Sequence, residues 1–239
     1  MSSTILVAYD GSPNADDAVA VGQLLAKLTG SELALAHIYR AGHQRGSHGA
    51  TTVEARERFL RRRGEELLER GAAVAGGDAR RVVLGSTTTA TGMRTLAERE
   101  AATAVVFGSA SNTEPGHVHP GSASRRLLQG APAAIAFAPV GYRQSASKIP
   151  SRIGVSHDDD DAAARQSAEA IVDALGRTAA VVEDGQVDLL LIGSRPGAEH
   201  GRVMIGANAE APLHAATSPV VVVARGVVLP SAAALASVA

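Results

Sequence analysis

The segment Ile5-Leu6-Val7-Ala8-Tyr9-Asp10-Gly11-Ser12-Pro13 lies close to the start of the chain. Its apolar run from Ile5 to Tyr9 predicts a buried strand, and Asp-Gly-Ser-Pro predicts the turn that ends this strand. The following residues place apolar side chains at helical spacing as far as Gly30, a residue type common at helix C-termini. A buried strand followed at once by a helix begins a βαβ unit, so this stretch predicts a parallel sheet.

The same alternation continues to about residue 140. Together with the first strand and helix, the pattern predicts an α/β fold with an open parallel five-stranded sheet and helices on both faces. The further predicted strands are Leu33–Tyr39, Arg81–Leu84, Ala104–Phe107 and Ala133–Ala138. The further predicted helices are Val53–Arg70, ended by Gly71, then Met93–Glu100, and one that begins near Gly121.

The pattern then restarts, which indicates an internal duplication. Ile153–Asp158 repeats the first strand and its terminal aspartate at an offset of 148, and Leu189–Ser194 repeats Ala104–Ser109 at an offset of 85. The offsets differ by 63, so the second copy is predicted to lack strands two and three and their helices. We expect a first domain at 1–140, a linker at 141–150, a truncated domain at 151–228 and a C-terminal tail at 229–239.

Composition narrows the function classes. The formal net charge is -1, which disfavours nucleic-acid binding, and the chain has no cysteine, which excludes disulfides and thiol catalysis. No apolar run approaches the roughly 20 residues of a membrane helix, and the N-terminus lacks the features of a secretory signal. These observations predict a cytoplasmic, soluble protein.

The chemically informative segment is Gly108-Ser109-Ala110-Ser111, followed after nine residues by Gly121-Ser122. A strand is predicted to end at Gly108 and a helix to start at Gly121. In doubly wound sheets, ligands bind beyond the carboxyl ends of the strands. Glycine allows a phosphate to approach the backbone, and N–H groups in a first helical turn can receive its charge. Asp10, at the end of the first strand, is placed to accept hydrogen bonds from a ribose or a base.

Together with the opening Ile5–Ser12, these motifs resemble those of the universal stress protein family, and the resemblance extends over nearly the whole chain. The resemblance implies that an adenine nucleotide such as ATP, with or without Mg²⁺, binds in the first domain. Ser111 departs from the family motif, which has glycine there, and Ser109 belongs to the motif as well. The implied site has Ala8, Asp10 and Ile38 at adenine and ribose, Gly108 at ribose, and Ser111, Gly121, Ser122 and Ala123 at the phosphates.

The second copy is predicted to leave its own site empty. Pro196 stands at the middle glycine and removes a donor N–H, and Ala207 removes the serine hydroxyl. Glu199 and the run Asp158–Asp161 add negative charge that would repel a triphosphate. For the Asp run, stabilisation of a helix N-terminus is favoured over a divalent cation site.

Other motifs are weaker. His117 and His119 are expected to be exposed and not to hold a metal. Arg61–Arg63 lies among glutamates and predicts a solvated helix face. The sequence contains neither a phosphate-binding Gly-x-x-x-x-Gly-Lys-Ser/Thr loop nor a Gly-x-Ser-x-Gly nucleophile elbow, and we find no acid–base pair.

The leading hypothesis is therefore a regulatory ATP-binding protein of the stress-response type, with an unidentified protein partner. It is not expected to be an enzyme, although slow ATP hydrolysis stays open. The alternative is a nucleotide-free scaffold that assembles through its last strands, Ile135–Ala138 and Val220–Val223. These strands pair either with each other, as an intramolecular pseudo-dimer, or across a homodimer. An adenylating enzyme ranks third.

Overall fold

The computed structural model describes residues 3–41, 50–146, 149–156, 162–176, 179–182 and 185–232. The opening strand and helix form as the sequence predicts. The Ser12 hydroxyl caps helix α1 by accepting a hydrogen bond from the Ala15 N–H at 3.2 Å, and Pro13 occupies the first helical position. Gly30 ends the helix in the left-handed conformation, with φ of 66°.

Strands and helices alternate along both copies. The first copy contains β1 Thr4–Ala8, α1 Pro13–Thr29, β2 Glu32–Arg40, α2 Ala50–Val74, β3 Arg80–Ser86, α3 Thr89–Arg99, β4 Ala102–Gly108, α4 Ser122–Leu127, β5 Gln129–Ala131 and β6 Ala134–Ala138. The second contains β7 Arg152–Ser156, α5 Ala163–Leu175, β8 Ala180–Val182, β9 Leu189–Ile192, β10 Val203–Met204, α6 Ala207–Ala215 and β11 Val220–Val222.

Nine of these strands form one sheet, in the order β3-β2-β1-β4-β6-β11-β9-β7-β8. Each half of this sheet is parallel, and the two halves meet antiparallel at β6 and β11. Helices α1, α2 and α5 cover one face and α3, α4 and α6 cover the other, and both hydrophobic clusters run through the two copies. The predicted α/β class, the parallel sheet and the second copy are confirmed.

The junction between the copies has a pseudo-two-fold axis. Val220, Val221 and Val222 pair with Phe137, Ala136 and Ile135, in that order. Ala136 and Val221 are equivalent in the duplication, so the axis passes between them. Both strands have a second neighbour, β4 for β6 and β9 for β11, and all six paired residues are buried. Of the two pairings that the sequence left open, the structure contains the intramolecular one.

The second copy retains more of strand two than the sequence predicted. Strand β8 pairs with β7 as Arg152↔Ala180, which is the register of Thr4↔Glu32 in the first copy shifted by 148 residues. The prediction that strand two is missing altogether is therefore wrong. The deletion lies between Val182 and Leu189, and it removes the equivalents of part of strand two and of α2, β3 and α3.

Helix α2 is longer than predicted, because it continues through Gly71 to Val74. Gly71 is buried against β1, where a Cβ would lie 2.7 Å from Cε1 of Tyr9. Seven residues earlier, a Cβ on Gly64 would lie 2.9 Å from Cδ2 of His37. These glycines allow α2 to approach the sheet closely, and this packing outweighs the weak helix propensity of glycine.

The linker and the tail are partly packed. The buried Asp17 carboxylate accepts hydrogen bonds from the N–H groups of Gly141 at 2.8 Å and Arg143 at 2.9 Å. At the other end, the N–H of Leu229 donates to the Ser167 hydroxyl at 2.9 Å, and Leu229 is buried. Residues 141–146 and 229–231 therefore pack against helices α1 and α5. No helix among the described residues is long and apolar enough to cross a membrane.

Candidate functional site

A cleft of about 500 Å³ opens at the carboxyl ends of β1, β2 and β4. This volume lies within the range of small-molecule sites, and the location is the one that doubly wound sheets favour for ligands. All nine residues predicted for the binding site line this one cleft: Ala8, Asp10, Ile38, Gly108, Ser109, Ser111, Gly121, Ser122 and Ala123.

Asp10 lies in the tight turn that follows β1. One of its carboxylate oxygens accepts a hydrogen bond from the Ser12 N–H at 3.0 Å, and Gly11 adopts φ of 80° between them. Asp10 is exposed in the cleft, and its other oxygen has no partner among the described residues. The turn thus holds a carboxylate ready to accept hydrogen bonds from hydroxyl or amino groups of a ligand.

Gly108 allows the end of β4 to approach the start of α1. A Cβ at this position would overlap the backbone carbonyl of Asn14. The Asn14 side chain also ties the two elements together, because its amide Nδ2 donates to the Ser109 carbonyl at 2.8 Å. Sequence reasoning missed Asn14, and no local signal could have found it, since its partner lies 95 residues away.

Ser109 contributes to the structure of the loop between β4 and α4, residues 110–121, which we call the cleft loop. Its buried hydroxyl donates to the Ala138 carbonyl at 2.8 Å and accepts from the His119 N–H at 3.1 Å. The hydroxyl therefore fastens the cleft loop to β6, and a ligand would meet Ser109 through its backbone.

Ser111 adopts a backbone conformation that is open to any residue. Among the described non-glycine residues, Ala101 is the one with positive φ, so serine introduces no backbone strain at position 111. Ser111 is exposed in the cleft, whereas Glu114 lines a separate cavity on the far side of the cleft loop. The negative charge of Glu114 therefore does not line the cleft.

Gly121, Ser122 and Ala123 form the opposite wall. Gly121 precedes α4 with φ of -76°, and a Cβ there would meet no atom within 4 Å. Helix α4 has six residues, so its dipole is small, but the N–H groups of its first turn have no carbonyl partner within the helix. This wall offers backbone N–H groups and the exposed Ser122 hydroxyl to an anionic group.

The inner wall of the cleft is apolar. It includes Ala8, Ile38, Phe107 and Met93, the last of which comes from helix α3. Sequence reasoning missed Met93, because its place in the cleft depends on how α3 packs on the sheet, and it missed Thr89 because it placed the start of α3 four residues too late. The helix starts at Thr89, where the Thr88 hydroxyl accepts from the Thr91 N–H at 3.1 Å. The threonine run at 87–89 is a capping signal that could have located this start.

The cleft contains little charge. Of the described residues that line it, none is lysine or arginine, and Asp10 is the one carboxylate. Tyr9 also lines it, and burial, together with a hydrogen bond from its hydroxyl to Asp16 at 2.8 Å, raises the pKa of Tyr9 to about 12. Within the described lining, an anionic group would meet backbone N–H groups and hydroxyls and no lysine or arginine side chain.

The second copy keeps the loop geometry without these binding groups. Ser194 donates to Val223 at 2.7 Å and accepts from Met204 at 3.2 Å, as Ser109 does with its equivalent partners. Pro196 and Ala207 occupy the positions of Ser111 and Ser122. Strand β8 ends at Val182, before the position equivalent to Ile38. The run Asp158–Asp161 lies outside the described residues.

The histidines of the cleft loop face the second copy and not the cleft. His117 and His119 line a cavity of about 280 Å³ together with His214 of α6. Within the described part of the chain, no group of three or more His, Cys, Asp or Glu residues has an arrangement that could hold a metal ion.

A model of the universal stress protein family matches residues 1–139. The chain belongs to the universal stress protein family. None of the curated proteins compared with this universal stress protein matches it significantly.

Solved structures agree on the fold across both copies. A universal stress protein from Archaeoglobus fulgidus DSM 4304 is 15% identical over 95% of this chain and 100% of its own, with a TM-score of 0.57. One from Pseudomonas aeruginosa UCBPP-PA14, described as putative in its own name, is 15% identical over 93% of both chains, with a TM-score of 0.53. A universal stress protein in complex with cAMP is 21% identical over 44% of this chain and 70% of its own, but its TM-score of 0.29 is too low to transfer a ligand position.

Proposed function

We propose that the first copy binds an adenine nucleotide, with ATP as the leading candidate, and that the bound nucleotide regulates the protein. The observation that carries this proposal is the convergence of nine predicted residues, from four separate segments, on one cleft of about 500 Å³. The apolar wall around Ile38 suits a base, and Asp10 suits the hydroxyls of a ribose. The backbone around Gly121 suits phosphates.

Mg²⁺ would accompany a triphosphate in this site. The described lining residues include no lysine or arginine, so the charge of the phosphates would be offset by a bound metal ion and backbone N–H groups. We infer little or no catalytic turnover, because Asp10 is the one carboxylate among the described lining residues and its position suits ribose better than a reacting phosphate. Binding would instead shift the population of conformers toward the one that holds nucleotide.

The second copy is proposed to leave its own site empty and to serve as a structural partner. The loss of the Ser122 hydroxyl at Ala207 and the early end of β8 support this reading. One nucleotide per chain is therefore expected.

Gly121→Val in the full-length protein tests the site directly. Residue 121 has an ordinary φ and open space around a Cβ, so valine is expected to fold normally while blocking the approach of a phosphate. Gly206→Val, at the equivalent position with φ of -97°, is the matched control. Calorimetric titration with ATP and Mg²⁺ should give one site in the wild type, loss of binding for Gly121→Val, and unchanged binding for Gly206→Val.

The proposal fails if the wild-type protein binds no adenine nucleotide at millimolar concentration. Identical melting with and without ATP would then favour the nucleotide-free scaffold. Two nucleotides per chain, or weakened binding in Gly206→Val, would instead overturn the empty second site.

A further inference from the structure

The cleft loop is supported from behind by the second copy. Val118 of this loop is 1% exposed, and its N–H donates to the Ala216 carbonyl at 3.1 Å. The ring of His119 lies against the ring of His214, with centroids 5.0 Å apart and planes tilted by 57°. Ala216 and His214 belong to α6 and its C-terminus, so residues of the degenerate copy contact a loop that lines the cleft of the first.

We propose that His214 and His119 are positioning residues, through which the second copy holds the cleft loop in its binding geometry while the His119 ring is neutral. This inference rests on the proposed function, because nucleotide affinity is its main readout. It assigns the second copy a role in the site of the first.

The backbone of His119 transmits its position to the cleft. Its N–H donates to the Ser109 hydroxyl at 3.1 Å, and its carbonyl accepts from the Ala110 N–H at 2.9 Å. Ser109 and Ala110 both line the cleft. A displacement of His119 would therefore move backbone groups that a nucleotide contacts.

Arg125 of α4 makes this arrangement sensitive to protonation. Its Nη2 lies 2.6 Å from Nε2 of His119, and its Nε donates to the Pro120 carbonyl at 3.1 Å. A guanidinium can only donate hydrogen bonds, so Nε2 of His119 must be the acceptor and the ring must be neutral. Protonation of His119 would break this bond and place a positive charge beside Arg125. His119 directly precedes Pro120 and Gly121, so the repulsion would act next to the wall of the cleft.

The charged groups around His119 come from three elements. Glu114 and His117 of the cleft loop and His214 of α6 line the same cavity as His119, and Arg125 of α4 contacts its ring. Glu210 of α6 lines a neighbouring cavity together with Arg125 and His214. Burial, and then the charges of Arg125 and His214, lower the pKa of His119 below its usual value of 6.5. The lowered pKa means that His119 binds a proton less well in the ordered cleft loop than in a displaced loop. The ordered loop is therefore fully stable relative to the displaced loop above pH 6.5, and it loses that stability as the pH falls below 6.5.

His119→Gln separates positioning from protonation. The glutamine oxygen can accept from Arg125 but does not titrate, so this variant should bind ATP within about twofold of the wild type near pH 7.5. Between about pH 7.5 and 5.5, the wild-type affinity should fall about threefold or more beyond that of His119→Gln, within the limit of about tenfold per pH unit for one proton. His214→Ala removes the ring that packs against His119 and should weaken ATP binding near pH 7.5, and unchanged binding would overturn the role of His214.

His200→Gln is the matched control. His200 is exposed in the equivalent loop of the second copy and lines neither the cleft nor the cavity of His119, so this variant should keep the wild-type fall in affinity. The phosphates of ATP also bind protons in this pH range, but this changes the affinity of every variant equally. The difference between the wild type and His119→Gln is therefore free of that effect. Equal pH responses in the wild type and His119→Gln would overturn the proposal.

Amide hydrogen exchange distinguishes failure of this inference from failure of nucleotide binding. If no nucleotide binds near pH 7.5, the proposed function fails, and exchange in residues 110–121 of the ligand-free protein decides the positioning role. Exchange faster in the wild type than in His119→Gln near pH 5.5, and equal near pH 7.5, would support it. Equal exchange at both pH values would refute it.

Discussion

Alanine substitution of Ser109 and Ser194 tests whether equivalent hydrogen bonds have different consequences in the two copies. Ser109 is 6% exposed and Ser194 0% exposed, and each hydroxyl makes two equivalent hydrogen bonds that fasten a loop to the last strand of its copy. The Ser109 hydroxyl also makes a longer contact with the His117 carbonyl, at 3.3 Å. Alanine leaves a carbonyl and an N–H without these partners. The loss in free energy of unfolding should be about 1–3 kcal/mol for each variant.

The two variants should differ in nucleotide binding. The loop fastened by Ser109 contains Ser111 and Gly121, so its loosening should weaken ATP binding by about tenfold, equivalent to about 1.4 kcal/mol. The loop fastened by Ser194 lines no proposed site, so ATP affinity should stay within about twofold of the wild type. Urea denaturation gives the stabilities and calorimetric titration gives the affinities.

The measurement that would refute this reasoning is equal weakening of ATP binding in both variants. That result would mean that Ser109→Ala acts through global stability and not through the cleft loop. Unchanged stability in both variants would show that the loops are held by other contacts.

Three further substitutions test the junction, the second copy and the site. Val221→Asp buries a carboxylate at the pseudo-two-fold axis and should cost about 4 kcal/mol or more in urea unfolding, whereas Val227→Asp, at a 39% exposed position, should cost little; equal losses would contradict the packed junction. Burial raises the pKa of Asp188, but hydrogen bonds at the start of β7 outweigh this effect and hold that pKa below 3.8. Asp188→Asn should therefore remove stability that the wild type has above pH 3.8 and loses in more acidic solution, as monitored by circular dichroism; an unchanged acid profile would argue against this role. Tyr9→Phe should remove the phenol that titrates near pH 12 in ultraviolet absorbance, whereas loss of a phenol that titrates near pH 10 would exclude the bond to Asp16. The variant should also lose less stability between pH 10 and 12, because the Tyr9 phenol of the unfolded chain ionises at 10.0.

The sequence predicted the elements well where local pattern decides them. Strand β1 and helix α1 carry their own signals, an apolar run, a serine cap, a first-turn proline and a terminal glycine, and all of these act within a few residues. The prediction for α2 was wrong at Gly71, because the close approach of Tyr9 depends on a strand more than 60 residues away. Helix α3 was placed too late because its threonine cap was not recognised.

The candidate site was predicted as a set of residues but not as a geometry. Glycine spacing and the end of β1 located Asp10, Gly108 and Gly121, which do line one cleft. The hydrogen bonds of Asn14 and the structural role of the Ser109 hydroxyl were not predictable, since both depend on partners brought together by folding. Whether these residues bind nucleotide stays a prediction.

The sequence by itself determined the alternation of strands and helices, the duplication and its offsets, because these follow from local periodicity and direct comparison of residues. Only the tertiary structure decided that β6 and β11 pair within one chain, that strand two survives as β8, and that His214 contacts the cleft loop. Each of these depends on which distant segments pack together most favourably. Local propensity cannot predict these pairings, because such contacts contribute free energy only after the chain has folded.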